Sequence, residues 1–131
     1  MTYRIFQWAS GTVGQHAARA CLTRSNLELI GLHATSPDKV GRDIGDILGT
    51  EPINIPVTND LELIKASNAD LVIHAPLASM VYGDNPEQDL VDICELLSAG
   101  KNVITVVGYM YTKVYGEELV NRLNNACAQG N

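Results

Sequence analysis

Long hydrophobic runs are what this sequence most plainly lacks. No segment reaches the roughly 18 consecutive apolar residues that a membrane-spanning helix needs. The first ten residues, MTYRIFQWAS, also lack the long apolar stretch of a secretory signal peptide. We therefore expect no membrane as a partner, and a cytoplasmic location is the default prediction.

Basic residues are also few. The chain carries nine Lys and Arg against fifteen Asp and Glu, which gives a net charge of −6, and the basic residues form no cluster. A nucleic-acid partner needs a basic face that neutralises its phosphates. The charge balance therefore predicts that the chain binds no nucleic acid.

Cysteine and histidine are too scattered to indicate a metal site. The three histidines share no ligand spacing; His16 is predicted to lie at the surface, and His74 to be a hydrogen-bonded residue of the core or of a strand end. The cysteines show no C-x-x-C spacing, and each falls in a predicted helix among apolar neighbours. They are predicted to be buried free thiols rather than disulfides, metal ligands or nucleophiles: Cys21, Cys94 and Cys127.

What the chain does contain is a regular alternation of short apolar strands with helical patterns. Its 131 residues, 46% of them hydrophobic, suffice for one domain with a substantial core. Four segments are predicted strands: Tyr3–Trp8, 27–34, 69–76 and 102–108. Helices between apolar strands predict an α/β fold of the Rossmann type, a doubly wound parallel sheet with helices on both faces. We expect residues 1–131 to form one dinucleotide-binding domain.

The remaining elements are predicted from turn and capping residues. Residues 37–57 are expected to be mostly loop, with one short helix and a short strand near 55–57. Capping residues predict the other helix boundaries: a start at Asn59, a start at Asn85 with Pro86 in the first turn, an end at Gly100, and a last helix over 113–129.

The stretch WASGTVGQHAA follows the first strand and opens the first helix, as a dinucleotide-binding phosphate loop does. Aligned on G-x-G-x-x-G, it has Ala9 at the first glycine, Gly11 at the second and Gly14 at the third. Gly11 would let a pyrophosphate approach, and Gly14 would allow close packing of helix on strand. Ala9 should be tolerated if its backbone keeps a negative φ. The predicted pyrophosphate site is Ser10, Gly11, Thr12, Val13 and Gly14, with backbone N–H groups at the helix N-terminus. The alternative is a glycine turn that binds nothing.

The end of the second strand, HATSPDKVGR, is expected to contact the adenosine ribose. NAD sites usually place Asp or Glu there, and residues 34–36 include neither. Ser36, Lys39 and Arg42 could instead hold a 2′-phosphate, which favours NADP over NAD. Asp38 could serve NAD if the loop folds back, and a solvated turn with two ordinary cations is the remaining alternative.

Two later segments are expected near the nicotinamide because they follow strands. These are Ala75, Pro76 and Leu77 in APLAS, and Val107 and Gly108 in VVGYMY.

Tyr109 and Lys113 fit Y-x-x-x-K, the spacing of a tyrosine whose pKa a lysine lowers for proton transfer. The glycine loop has the wrong pattern for short-chain dehydrogenases, and the pair follows a strand directly instead of lying in a long helix. We therefore interpret this pair as a chance match and leave the catalytic residues unassigned.

The runs TYRIFQWASGTVGQHAARA, LELIGLHATSPDKVGRDIGDILG and NADLVIHAPLA, with the helix before CAQGN, resemble one family. It is the dihydrodipicolinate-reductase-like group, which includes 2,4-diaminopentanoate dehydrogenase and the NAD(P)H-dependent amine dehydrogenases. The resemblance covers essentially the whole chain, and SPDKVGRD is its most specific part. It implies a Rossmann domain, a nicotinamide cofactor, and an oxidoreductase acting on imines, amines or related carbonyl compounds.

The resemblance also implies a larger protein. Members of the group have a substrate-binding and dimer-forming domain after the point where this chain stops, so it implies a homo-oligomer at full length and a cofactor domain that is inactive alone. Members usually have glycine at Ala9, and amine-forming members carry a carboxylate where this chain has GYMY. The alternative function is a non-catalytic nucleotide-sensing or interaction module. A large exposed apolar patch would favour the cofactor domain over that module.

Overall fold

The computed structural model describes residues 1–131 and is built around a four-stranded parallel sheet with strand order β2-β1-β3-β4. The strands are β1 (Tyr3–Trp8), β2 (Leu27–His33), β3 (Leu71–His74) and β4 (Asn102–Thr105). All three neighbouring pairs run parallel. The predicted α/β fold is confirmed, and the carboxyl ends of all four strands therefore meet at one edge of the sheet.

Helices connect the strands and follow the last one. They are α1 (Thr12–Leu22), α2 (Ile44–Leu48), α3 (Leu61–Ala66), α4 (Ser79–Tyr82), α5 (Gln88–Ser98) and α6 (Glu117–Gly130), and a 3-10 helix spans Tyr109–Tyr115. Not one of these helices combines the length and apolar character needed to cross a bilayer.

The alternating side chains of β1 explain why both faces of the sheet are covered. Ile5 packs with residues of α1 and α2, including Ala18 and Ile44. Phe6 and Trp8 point to the other face, where they pack with residues of α3 and α5. Each fully buried large aliphatic or aromatic side chain contributes roughly 1.5–3 kcal/mol. The two cores fix the sheet between the helical layers, and so fix the loops at its carboxyl edge.

The second half of the sheet is shorter than predicted. β3 covers only residues 71–74 of the predicted 69–76, and β4 only 102–105 of the predicted 102–108. The expected strand near 55–57 is reduced to isolated bridges, His33 with Thr58 and Asp43 with Pro56. A proline cannot donate to a strand ladder, which limits pairing at this point.

Segment 37–57 does contain the one short helix that was expected, α2. Asp43 organises it, because its carboxylate accepts hydrogen bonds from the N–H groups of Gly45 at 2.8 Å, Ile53 at 2.9 Å and Ile55 at 3.2 Å. These bonds, led by that from Ile53, hold the pKa of Asp43 below its usual value. One side chain therefore ties the helix to the following loop.

Three predicted helix boundaries were wrong by a few residues. Asp60, not Asn59, caps α3 by accepting from the N–H groups of Glu62 and Leu63. Asn85 accepts from the Glu87 N–H in the turn before α5, which begins only at Gln88. The C-terminal segment is divided at Gly116, whose φ of +96° ends the 3-10 helix before α6 begins. Gly100 has a φ of +79° and follows the end of α5.

Candidate cofactor-binding site

A cavity of about 510 Å³ opens at the carboxyl ends of β1, β2 and β3. Nine residues of the predicted site line it: Ser10, Gly11, Thr12, Val13, Ser36, Lys39, Ala75, Pro76 and Leu77. Four others do not line it: Gly14, Arg42, Val107 and Gly108. Near the end of β4 the lining residue is Val106, one position before the predicted pair. Segments far apart in the sequence thus meet where parallel α/β sheets bind ligands.

The N-terminus of α1 forms one wall of this cavity. Gly11 is the capping residue, with an unstrained φ of −73°; no side chain caps the helix, and its first turn contains no acidic residue. The first N–H groups of a helix have no partners within it, and they lie at the positive end of its dipole. A Cβ added to Gly11 would meet no atom within 4 Å, so it would project into open space. This wall suits an anion such as a pyrophosphate.

The turn before α1 differs from the predicted one. Ala9 has a φ of +76°, so the negative φ on which the tolerance of alanine was expected to depend is not observed. Left-handed backbone is unfavourable for residues other than glycine. The methyl group of Ala9 packs against the core cluster that contains Phe6 and Trp8. The chain therefore makes the glycine-type turn with an alanine.

Gly14, in the first turn of α1, leaves no room for a side chain against this turn. A Cβ at Gly14 would lie 2.2 Å from the carbonyl oxygen of Ala9 and 3.0 Å from Nε2 of Gln7. Position 14 was predicted to need glycine for close packing, and the group that a side chain there would meet first is the Ala9 carbonyl. Gly14 thus supports the loop from behind, while Gly11 faces the cavity.

Lys39 is the one charged side chain among the residues that line the cavity. Its Nζ donates to Oγ of Ser10 at 3.1 Å and to the carbonyl oxygen of Ser10 at 3.3 Å. These bonds join the loop after β2 to the phosphate loop and hold a positive charge between them. Arg42 lies outside the lining and forms an ion pair with Asp46 at 3.9 Å.

An aromatic wall was not predicted from the sequence. Trp8 and His33 are stacked, with ring centroids 4.1 Å apart, and the ring of His74 lies 5.6 Å from that of Trp8. Trp8 pairs in register with both histidines, so three strands end in one layer of rings. Aromatic residues at the ends of neighbouring strands are the sequence signal that could have indicated this wall.

Both histidines of this layer of rings are buried and uncharged at neutral pH, and only His33 lines the cavity. Burial lowers the pKa of His33 to about 4 and the pKa of His74 to about 4. Nδ1 of His74 shares a hydrogen bond of 2.9 Å with Thr105 Oγ1, while Nε2 has no hydrogen-bond partner and lies 4.0 Å from Asp89 Oδ1. The prediction of a hydrogen-bonded core histidine therefore holds for one of its two nitrogens.

A second cavity of about 450 Å³ adjoins the first. Both are lined by Trp8, His33, Thr35, Pro76 and Leu77. The second continues toward the N-terminal end of α5, where Ser79 and Asp89 form part of its wall. The two cavities make one groove that passes from the phosphate loop across the stacked rings.

The Tyr109–Lys113 pair has no feature of an activated tyrosine. Both residues lie in the 3-10 helix rather than in a long α-helix, and neither lines the cavity. Burial raises the pKa of Tyr109, the opposite of what a proton donor of this kind requires. The interpretation of the spacing as a chance match agrees with this geometry.

The cysteines agree only in part with their prediction. All three are free thiols. Cys21 is buried, whereas Cys94 is half-buried and Cys127 exposed, so the expectation that all three are buried was wrong for two of them.

Known proteins similar to this chain share its sequence pattern and fold. The family model for the N-terminus of dihydrodipicolinate reductase matches residues 8–85. The 4-hydroxy-tetrahydrodipicolinate reductase of Trichormus variabilis is 29% identical over 115 residues, which cover 86% of this chain and 37% of that protein. The amine dehydrogenase of Streptomyces virginiae is 28% identical over 103 residues, 78% of this chain and 28% of that protein.

A solved structure agrees with this result at the level of the fold. The amine dehydrogenase of Mycobacterium smegmatis superposes with a TM-score of 0.78 at 21% identity, covering 95% of this chain and 36% of the other. The chain spans roughly a third of the length of these relatives. The matched residues 8–85 include the phosphate loop, the end of β2 and the segment after β3.

Proposed function

The chain belongs to the dihydrodipicolinate reductase N-terminal family, and from that premise we propose that it is the nicotinamide-cofactor domain of an oxidoreductase that prefers NADP. The related reductase and dehydrogenase support the class of reaction. The observation that carries the choice of NADP is Lys39, the single charged group in a cavity whose lining includes no carboxylate.

Different residues that line the cavity are proposed to bind different parts of the cofactor. The first turn of α1, from Gly11 to Val13, binds the pyrophosphate through backbone N–H groups. Ser36 and Lys39 hold the 2′-phosphate, because a hydroxyl and an ammonium can both donate to its oxygens. Arg42 adds long-range attraction from outside the cavity. The segment Ala75–Leu77 lies on the nicotinamide side, together with Val106 near the end of β4.

When bound here, a reduced nicotinamide cofactor would supply a hydride from C4 for transfer to an imine or carbonyl carbon of a small-molecule substrate. The residues of this chain bind and orient the cofactor. Trp8 and His33 cover the ends of two strands with stacked, buried rings, which shield that part of the groove from water. The neutral state of both buried imidazoles avoids a second cationic centre that would compete with Lys39 for phosphate.

The exposed apolar residues near β4 favour a second domain over a self-contained sensing module. Large apolar side chains are 54% exposed at Ile104, 55% at Val106, 77% at Leu77, 67% at Val81 and 90% at Met110. Exposed apolar surface of this kind is typical of interaction sites. We infer that these side chains contact the substrate-binding part of a longer, homo-oligomeric protein, in which this domain would supply the cofactor.

Titration of NADPH and NADH against the fluorescence of Trp8, the chain's single tryptophan, tests the proposal. Trp8 lines both cavities, so a bound cofactor changes its surroundings. We expect saturable binding of both cofactors, with NADPH tighter. Lys39→Ala should weaken NADPH binding by at least about tenfold, the value of one charge-assisted hydrogen bond. NADH binding should weaken less, because NADH has no 2′-phosphate and loses only the support that the Lys39–Ser10 bonds give to the phosphate loop.

Lys113→Ala is the matched control, because it removes an exposed lysine outside both cavities. It should leave the affinity for either cofactor unaltered. Equal affinities for NADPH and NADH, or equal losses of both in Lys39→Ala, would overturn the preference for NADP. Absence of binding for both at millimolar concentration, checked by calorimetry, would overturn the cofactor-domain proposal itself.

A further inference from the structure

Gln7 is a polar side chain in the middle of a buried strand, and its surroundings connect it with the phosphate loop. It is 0% exposed. Its Nε2 donates to the carbonyl oxygen of Trp8 at 2.9 Å and to that of Ala9 at 3.2 Å. Its Oε1 has no hydrogen-bond partner. A buried amide with half of its polar atoms unpaired is costly to stability, so a role beyond packing is expected.

The two carbonyl groups that Gln7 binds belong to the peptide units on either side of the Ala9 Cα. In an extended chain, successive carbonyls point in opposite directions, whereas in helical backbone of either hand they point the same way. One amide nitrogen that binds both carbonyls therefore disfavours an extended conformation at Ala9. The observed φ of +76° lies in the left-handed region of the backbone.

The sheet itself fixes only the first of these two peptide units. The Trp8 carbonyl also accepts from the Ala75 N–H at 3.1 Å, and the Ala9 N–H donates to the His33 carbonyl at 3.0 Å. The ladder to β2 and β3 thus orients the peptide before Ala9. The Ala9 carbonyl belongs to the next peptide, and Gln7 binds it from within the buried face of β1.

We propose that Gln7 is a positioning residue that holds Ala9 in the left-handed conformation and so directs the phosphate loop toward the cofactor. A glycine at position 9 would adopt this conformation without help. Alanine disfavours it, and the amide of Gln7 supplies the missing constraint. The Ala9 carbonyl that it fixes is also the atom against which Gly14 packs, so Gln7, Ala9 and Gly14 set the start of α1 together. The effect on the cofactor rests on the proposed function, whereas the effect on Ala9 does not.

The test is a double-mutant cycle of Gln7→Met and Ala9→Gly, with two readouts. Methionine is similar in length to glutamine and lacks the donor. The first readout needs no cofactor: the one-bond Cα–Hα coupling of residue 9, measured by NMR, distinguishes positive from negative φ. Asn54, with a φ of +63°, is the other non-glycine residue of positive φ and serves as an internal reference. The second readout is the NADPH dissociation constant.

We expect Gln7→Met to remove the positive-φ signature at Ala9 while that of Asn54 persists. NADPH binding should weaken by about tenfold, the equilibrium equivalent of the penalty for one left-handed alanine. In the Ala9→Gly background, the same Gln7 substitution should change affinity by less than about twofold. Gln15→Met is the matched control, since Gln15 donates to the Ser10 carbonyl at 2.9 Å and does not bind Ala9; the signature of Ala9 should persist in it.

Each result decides the proposal. An unchanged signature at Ala9 in Gln7→Met would overturn it, as would equal losses of affinity with Ala9 and with Gly at position 9. If Gln7→Met does not fold, recovery of folding by Ala9→Gly supports the proposal, and failure of the double variant shows that Gln7 serves the core instead. If the unaltered protein binds neither cofactor, the proposed function fails, and the NMR signature still decides the role of Gln7.

Discussion

Replacement of Gly14 by alanine tests how the phosphate loop is supported. The new Cβ would lie 2.2 Å from the Ala9 carbonyl oxygen and 2.9 Å from its carbonyl carbon, and both are backbone atoms that cannot rotate away. Overpacking of this kind costs about 1–3 kcal/mol. The higher helix propensity of alanine returns roughly 0.5–1 kcal/mol. We expect a net loss in the free energy of unfolding of about 1–2 kcal/mol, measured by urea denaturation.

Gly11→Ala is the matched comparison, three residues away in the same loop. Its Cβ would meet no atom within 4 Å, and the φ of −73° suits any residue, so the free energy of unfolding should stay within about 1 kcal/mol of the original value. Both variants should bind NADPH poorly, Gly11→Ala because its methyl group occupies the ligand's space, and Gly14→Ala because the loop has moved. A stable Gly14→Ala protein, or equal destabilisation by both substitutions, would refute the account of the loop.

Two further predictions concern pH and the loop after β2. His33 and His74 each have a pKa of about 4 in the folded protein, whereas the ordinary pKa of histidine is about 6.5, so the unfolded chain binds more protons between pH 4 and 6.5. The free energy of unfolding should therefore be highest above about pH 6.5. It should fall by about 2 kcal/mol for each imidazole between pH 7 and 5, which urea denaturation at a series of pH values can measure. His33→Gln should make the free energy of unfolding less dependent on pH, whereas His16→Gln, which changes an exposed residue, should not. The same pH dependence in both variants would contradict the lowered pKa of His33. Asp43→Ala removes the carboxylate that accepts hydrogen bonds from three backbone N–H groups, so it should lower the midpoint temperature of thermal unfolding. Asp46→Ala is the control, because it removes an exposed carboxylate from α2, and it should lower the midpoint less. Equal midpoints in the two variants would show that Asp43 does not organise the segment.

The order of strands and helices, and most of the cavity lining, could be predicted from local patterns. Apolar strands alternating with helices leave few arrangements other than a parallel sheet, and the glycine loop after β1 marks its ligand edge. Ser10 to Val13, Ser36, Lys39 and the segment after β3 line the cavity because strand ends determine their position, and their contact with a cofactor stays a prediction. Helix starts were less accurate, since neighbouring residues such as Asn59 and Asp60 are both good caps and only the backbone selects one.

What the sequence by itself determined was therefore the fold and most of the lining of the cavity at the carboxyl ends of the strands. The tertiary structure decided the conformation of Ala9, the exclusion of Arg42 from the lining, and the stacking of Trp8 on His33. Each of these depends on contacts between residues that are distant in the sequence or on opposite sides of one turn. Local propensity favours negative φ at an alanine. The sheet ladder orients the peptide unit before Ala9, and the amide of Gln7 binds the carbonyl groups on both sides of the Ala9 Cα, which are contacts that local propensity does not include.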